Sequence, residues 1–197
     1  MLLSLRELFD IAVMTFAIGF IFSSTFEQYR RKAVQDYDPL IHARLGFSMQ
    51  RLWFAAAVVA PAIIFHELGH KLVAMGYGLP ATFHAAYSWL ALGIVLKLLN
   101  FGFIFFVPAF VSFPATVTPL QSSLIAFAGP GVNLVLWLSA LALLRYPRMA
   151  RRIGIRERHL PILALTGRIN MFLFIFNMLP LPFFDGAKVF SGLLSLF

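Results

Sequence analysis

The sequence predicts an all-α polytopic membrane protein with about four to six transmembrane helices and a small membrane-embedded β-strand or re-entrant element around residues 101–113. Of its 197 residues, 60% are hydrophobic and only 12% are charged, and a soluble domain of this size cannot bury so much apolar surface. Long apolar runs also alternate with short basic segments. We therefore expect one domain, residues 1–197, in a multi-pass protein of the cell membrane.

The distribution of charge argues against nucleic acid as a partner. The chain has 16 Lys and Arg against 8 Asp and Glu, and eleven of the 16 basic residues lie in two connectors, 27–51 and 145–158. Basic residues between apolar spans orient helices and contact anionic headgroups, so the expected partner is the lipid bilayer. The absence of cysteine excludes disulfides and thiolate metal sites.

Hydropathy predicts four clear spans. The first, 8–26, reads as a helix and not as a cleaved signal peptide, because Glu7 and Asp10 spoil the basic start that such a peptide needs. The second, 52–75, is ended by Gly76. The third, 124–144, and the fourth, from 160 to about 184, contain internal prolines and asparagines, and the apolar tail 187–197 is too short to cross a bilayer alone.

The second span carries the strongest chemical signal. After fourteen residues without a charge, 52–65, the chain continues with His66, Glu67 and His70 in an H-E-x-x-H pattern. Residues four apart share a helix face, so both imidazoles can bind one metal ion while Glu67 lies about 100° round the helix as a general base. Zinc suits such ligands and makes a bound water a usable nucleophile. Burying three titratable groups in a membrane helix without this role would be costly.

A zinc ion held by two histidines needs a third protein ligand, and the candidates differ in merit. The metzincin spacing would require a histidine where Gly76 stands. Glu157 lies within a run of arginines, where a solvated ion pair explains it better, and a structural role is favoured for the lone His84. Asp185 follows two prolines at the end of an apolar stretch, where an acid rarely lies without a function.

The stretch 87–113 is ambiguous between a broken transmembrane helix and a strand or strand pair. Its second half is rich in aromatic and β-branched residues, and Pro108 blocks a regular helix. If Asp185 shares a metal with His66 and His70, the second and fourth spans must run in the same direction. The stretch must then be re-entrant or a hairpin, buried in protein or lining a wet cavity.

Three motifs together resemble the site-2 protease family of intramembrane zinc metalloproteases. They are the H-E-x-x-H of 66–70, the G-P-x-x-N of 129–133 and the N-x-x-P-x-P-x-x-D-G of 177–186, and they define a catalytic core of about 52–188. The resemblance implies that His66, His70 and Asp185 bind one zinc ion, that Glu67 is the base, and that Asn177 holds the substrate carbonyl or oxyanion. The chain departs from the family in having Ala187 where a second glycine is frequent, and in lacking an appended PDZ or CBS domain.

The resulting functional hypothesis is hydrolysis of a peptide bond within or next to a transmembrane span of a membrane-protein substrate, that is, regulated intramembrane proteolysis. Because helical peptide bonds are shielded, we expect an edge strand within 103–113 to hold the substrate extended, with Phe103, Phe105 and Val107 as contacts and Asn133 as another. Two alternatives remain, a metal or proton transporter and a non-catalytic scaffold that binds membrane spans. The positive-inside rule places the basic connectors in the cytosol, whereas the resemblance implies the opposite orientation.

Overall fold

The computed structural model describes residues 2–26, 48–101, 107–114 and 116–195. These residues are mostly helical and include one two-stranded sheet. In chain order the elements are α1 (Leu5–Ile21), α2 (Met49–Gly76), β1 (Thr82–Ala85), α3 (Tyr87–Leu98), β2 (Ala109–Ser112), α4 (Pro119–Arg145), α5 (Pro147–Arg152), a 3-10 turn (Glu157–His159), α6 (Leu160–Asn177) and α7 (Asp185–Leu194).

Three helices in the described ranges are long and apolar enough to cross a membrane. They are α2 with 28 residues, α4 with 27, and α6, which together with the preceding 3-10 turn has 21. The α1 helix has 17 residues, at the lower limit for a span, and α3 has only 12, about 18 Å of helix. This mostly helical membrane fold is the one that the sequence predicts.

The long helices alternate in direction. Gly69 of α2 lies so close to α4 that an added Cβ would be 2.7 Å from the Ala128 carbonyl oxygen, while nearer the start of α2 the Ala62 carbonyl accepts a hydrogen bond from Asn133. These two helices are therefore antiparallel. Gly167 of α6 packs near Ala140 of α4, and Asn170, further along α6, bonds to Asn133, which lies nearer the start of α4. The α6 helix is therefore antiparallel to α4 and parallel to α2. The second and fourth spans thus run in the same direction, as the metal-sharing argument predicts.

The chain between α2 and α4 folds back on itself. β1 and β2 pair antiparallel, with Thr82 opposite Ser112 and Ala85 opposite Ala109. Between them α3 runs alongside α1, because Tyr87 at its start bonds to α1 and Lys97 near its end bonds to Ser24 just beyond α1. The segment is therefore a hairpin that returns to the end where it began. The prediction of a strand near 101–113 is confirmed at β2, and its partner β1 was not predicted.

The fourth span ends earlier than the sequence suggested. We predicted helix to about residue 184, but α6 ends at Asn177, and Asp185 is the first residue of the separate helix α7. Pro180 and Pro182 disfavour helical backbone in the residues before them. Phe183 adopts a left-handed conformation with φ 76°, which turns the chain before α7 begins.

An apolar core fixes the sheet near the second span. It joins Met14 and Ile18 of α1, Val59 and Ile63 of α2, and Phe83 of β1, all buried. Because β1 and α2 contribute to one core, the sheet packs beside the face of α2 that carries His66 and His70.

Candidate metal centre

Three potential metal ligands converge at one point of the molecule. His66 and His70 lie one turn apart on α2, and their Nε2 atoms are 3.1 Å apart. The Oδ2 atom of Asp185 lies 3.1 Å from the first of these atoms and 3.3 Å from the second. Within the described residues this is the one group of three or more His, Cys, Asp or Glu side chains that could hold a metal ion.

The spacing and protonation of these ligands fit zinc. Ligand atoms about 2.0 Å from a tetrahedral zinc ion lie about 3.3 Å from one another, which matches the separations found here. The His66 Nδ1–H donates to Asn133 Oδ1 at 2.6 Å, and the His70 Nδ1–H donates to the Ile125 carbonyl at 2.7 Å. Both Nε2 atoms therefore face each other and the carboxylate, an arrangement that suits a metal cation bound between them.

Gly129 of α4 keeps the space beside these ligands open. A Cβ atom added at this position would lie 2.7 Å from His66 Nε2 and 2.6 Å from His70 Cε1. Any side chain here would therefore occupy the space on which the imidazoles converge. The glycine of the G-P-x-x-N motif is thus required for a direct steric reason, since a larger residue would intrude on the metal centre.

Close packing at both ends of α7 holds Asp185 in place. A Cβ on Gly186 would be 2.5 Å from the Leu179 carbonyl oxygen, so only glycine lets α7 begin against the chain that follows α6. Further along α7, the Ser123 hydroxyl of α4 donates to the Val189 carbonyl at 2.9 Å. Burial would raise the pKa of the Asp185 carboxyl, but hydrogen bonds and positive charge from protonated His66 and His70 rings outweigh burial and hold that pKa below its usual range. The ionised form is the one that a metal ligand requires.

Glu67 lies beside the ligand cluster and not within it. Its side chain is buried and lines two adjoining cavities together with His66. A carboxylate next to the open side of a metal site is placed to exchange protons with water or substrate there. This is the location that the H-E-x-x-H spacing predicts for a general base.

The two cavities differ in character. The apolar cavity, about 380 Å³, extends along α6 between α2 and the sheet, and its walls include Phe22, Val59, Ile63, Leu165, Phe172 and Phe176. The polar cavity, about 140 Å³, lies between β2 and the ligand cluster, and its walls include His70, Ala109, Val111, Asn177, Asp185 and Lys188. His66 and Glu67 line both cavities, so the candidate centre connects an apolar space to a polar one.

The other residues that the sequence singled out have varied surroundings. Asn177, at the end of α6, lines both cavities and donates to the Leu173 carbonyl at 2.9 Å. Val107 also lines both cavities, whereas Phe103 and Phe105 lie outside the described residues. Asn133, expected to contact substrate, is fully buried and bonds to His66, Ala62 and Asn170 through its amide. Its amide is therefore engaged within the protein and orients an imidazole.

Two alternatives for the third ligand lie elsewhere. His84 is in β1, where its Nε2 is 2.8 Å from the Ser112 hydroxyl and its ring stacks on Phe110. Glu157 pairs with Arg151 at 2.9 Å, with both side chains largely exposed, which confirms the solvated ion pair predicted for it. Asp185 is thus the acid that lies with the two histidines.

Sequence reasoning missed two structural contacts near the centre. The Ile125 carbonyl that orients His70 is a backbone group, so its residue type carries no signal. The buried ion pair between Lys71 and Glu7 did have a signal, since a lysine directly after the second histidine in an apolar span needs a partner.

These features define a class of protein, one with a candidate His-His-Asp metal site whose two histidines lie on a helix long enough to span a membrane. Comparison with known proteins agrees. Over 190 residues the chain is 34% identical to a predicted zinc metalloprotease of Methanocaldococcus jannaschii, covering 94% of this chain and 84% of the relative. A predicted zinc metalloprotease of Synechocystis is 28% identical over 138 residues, covering 70% of this chain and 30% of that protein. The chain belongs to the site-2 protease family of zinc metalloproteases. No family model and no solved structure matches it.

Proposed function

We propose that the protein is an intramembrane zinc endopeptidase that cleaves a membrane-protein substrate within or next to a transmembrane span. The observation that carries the proposal is the apolar cavity, which extends along α6 and reaches both His66 and Glu67. A catalytic site for soluble substrates would not need to be reached through an apolar cavity beside helices of membrane-spanning length. An apolar peptide segment fits such walls.

The chemistry follows from the side chains around the cluster. A zinc ion bound by His66, His70 and Asp185 supplies Lewis acidity, which polarises a peptide carbonyl and makes water a stronger acid. Glu67 accepts the proton of the attacking water and delivers it to the leaving amine. Asn177, which lines the polar cavity together with Glu67, holds the substrate carbonyl as negative charge develops on its oxygen.

The substrate must be extended before its peptide bond can be attacked, because helical peptide bonds are already hydrogen-bonded and shielded. β2 borders the polar cavity opposite the ligand cluster, through Ala109 and Val111. A peptide that adds to β2 as a further strand lies next to Glu67 with its backbone accessible. Substrates should therefore be single spans with helix-breaking residues near the cleaved bond.

Cleavage of a membrane-span reporter, co-expressed with the protease, tests this function. We expect Glu67→Gln to keep its zinc and lose at least about 100-fold in cleavage rate, because the proton carrier is gone while the ligands remain. Asp185→Asn should lower both zinc content and cleavage. Full cleavage by Glu67→Gln would refute the mechanism, and zinc-dependent ion flux without any cleavage would favour a transporter.

A further inference from the structure

Two acids of α1 lie buried where the mechanism does not use them. Glu7 and Asp10 are each only 3% exposed and lie one turn apart on the helix. Glu7 Oε1 accepts a hydrogen bond from the Phe83 backbone N–H at 2.7 Å, and Asp10 Oδ2 accepts one from the Ala85 N–H at 3.4 Å. The two carboxylates therefore bind alternate amides of β1.

These bonds show which way the backbone groups of the sheet point. In an antiparallel pair, alternate residues direct their N–H and C=O groups to the partner strand, and the residues between direct theirs outward. The backbone N–H groups of Phe83 and Ala85 donate to side chains of α1, so these N–H groups point away from β2. The Ala86 N–H donates to the Pro108 carbonyl at 3.0 Å, which confirms the alternation. Val111 and Ala109 are the cross-strand partners of Phe83 and Ala85, so the backbone N–H and C=O groups of Val111 and Ala109 must point outward from β2.

The two edges of the sheet consequently differ. The outer edge of β1 is covered by α1, and its two outward amides are bonded to carboxylates. On β2, no hydrogen bond within the described part of the chain reaches the N–H groups of Ala109 and Val111. Ala109 and Val111 also line the polar cavity beside the metal centre. Pro108 lacks a backbone N–H, but it does not interrupt this outer edge, because its backbone carbonyl faces β1.

The same carboxylate connects the sheet to the metal helix. Besides the Phe83 amide, Glu7 accepts from the ammonium of Lys71, which follows His70 directly and is itself 2% exposed. Ser4 and Glu7 also form a reciprocal capping box that fixes the start of α1. One side chain thus holds α1, β1 and the ligand-bearing turn of α2 in a fixed relation.

We propose that Glu7 and Asp10 are positioning residues, which close the outer edge of β1 and hold β2 so that an extended substrate binds the outer edge of β2 in one register relative to the metal centre. The inference rests on the proposed function, since it concerns how that substrate is held. A strand that pairs through Ala109 and Val111 must align in two-residue steps, and a sheet that is free to shift would present more than one peptide bond to Glu67.

A matched pair of double variants tests the proposal in the purified full-length protein. Glu7→Gln with Lys71→Met removes both buried charges but keeps an oxygen for the Phe83 amide. Glu7→Met with Lys71→Met removes that oxygen as well, and apolar replacement of a buried ion pair is often tolerated. We would measure zinc content, KM and kcat on the reporter, and the cleavage position by mass spectrometry of the products.

We expect the first double variant to cut at the wild-type bond. The second should keep its zinc, raise KM about tenfold with less change in kcat, and yield additional products displaced by about two residues. Asp10 also accepts a hydrogen bond from the Tyr87 hydroxyl, so its variant is compared in a Tyr87→Phe background. Asp10→Ala with Tyr87→Phe, compared with Tyr87→Phe alone, should shift the products in the same way and replaces the test if the Glu7 variants do not fold. A single wild-type cut with unchanged KM in the variants that lose the amide acceptor would overturn the proposal. Failure of the proposed function would look different, because the wild type would then show no cleavage that depends on Glu67.

Discussion

At the level of single residues, the metal centre depends on the open space between its ligands as much as on the ligands themselves. His66, Glu67 and His70 could be selected from their spacing, because helix geometry fixes the relative directions of these side chains. Asp185 was selected by its place at the end of an apolar stretch and by the family resemblance. The burial of Asn133 and its bonds to His66 and Asn170 could not be predicted, since an asparagine in a span can bond either to substrate or to its neighbours. Only the packing of α4 against α2 decides between these roles.

Gly129→Ala should abolish tight zinc binding. The added methyl group would fall 2.7 Å from His66 Nε2, within the space that the ligands share. We expect at least about a 100-fold loss of zinc affinity, measured by competition with a chelator, although alanine favours the helix itself.

Gly131→Ala is the matched control, two residues further along the same helix. Its Cβ would meet the Phe127 ring at 3.4 Å, an ordinary contact, so zinc affinity should be unchanged. Equal affinities for the two variants would show that Gly129 does not border the metal.

At the level of elements, the sequence indicated the long helices and the hairpin but not the details of the turns. Long apolar runs were sufficient to predict the long helices, and the need for α2 and α6 to run in parallel was sufficient to predict the hairpin. β1 was missed because its four residues, Thr82–Ala85, form a strand only through β2 and the carboxylates of α1. The short helix α7 was merged with the fourth span, since hydropathy does not detect the turn at Phe183.

The outer edge of β2 can be tested with one proline. Val111→Pro removes an outward N–H while leaving the bonds between β1 and β2 intact, so we expect cleavage of the reporter to fall at least about tenfold with zinc content unchanged. Val111→Ala keeps the N–H and should cleave nearly as the wild type does. Undiminished cleavage by Val111→Pro would exclude strand addition at this edge.

At the level of the whole molecule, the direction of the helices separates the two ends of the protein. α4 begins near α7 and the metal centre, and its 27 residues, about 40 Å of helix, end at the arginine-rich segment that contains α5. The metal centre therefore lies toward one end of the helical bundle, and the second basic connector lies at the other.

Single cysteines should label from opposite sides of the membrane when placed at Met149 in α5 and at Ser195 after α7. Both positions are exposed, and the chain contains no other cysteine. A membrane-impermeant maleimide applied to whole cells and to inverted vesicles distinguishes the two faces. Labelling of both positions from one side would contradict the helix directions, and the side on which Ser195 reacts identifies the face nearer the metal centre.

The distance along the chain between His66 and Asp185 has a consequence for biosynthesis. These two ligands are 119 residues apart, and Asp185 lies close to the last described residue. At ordinary translation rates of about 5–20 residues per second, roughly 6 to 24 s pass between the synthesis of the two. During that interval the chain carries an apolar cavity wall and two imidazoles but lacks the carboxylate that completes the set. A partly synthesised chain therefore lacks the complete set of metal ligands until the last part of the chain has been made.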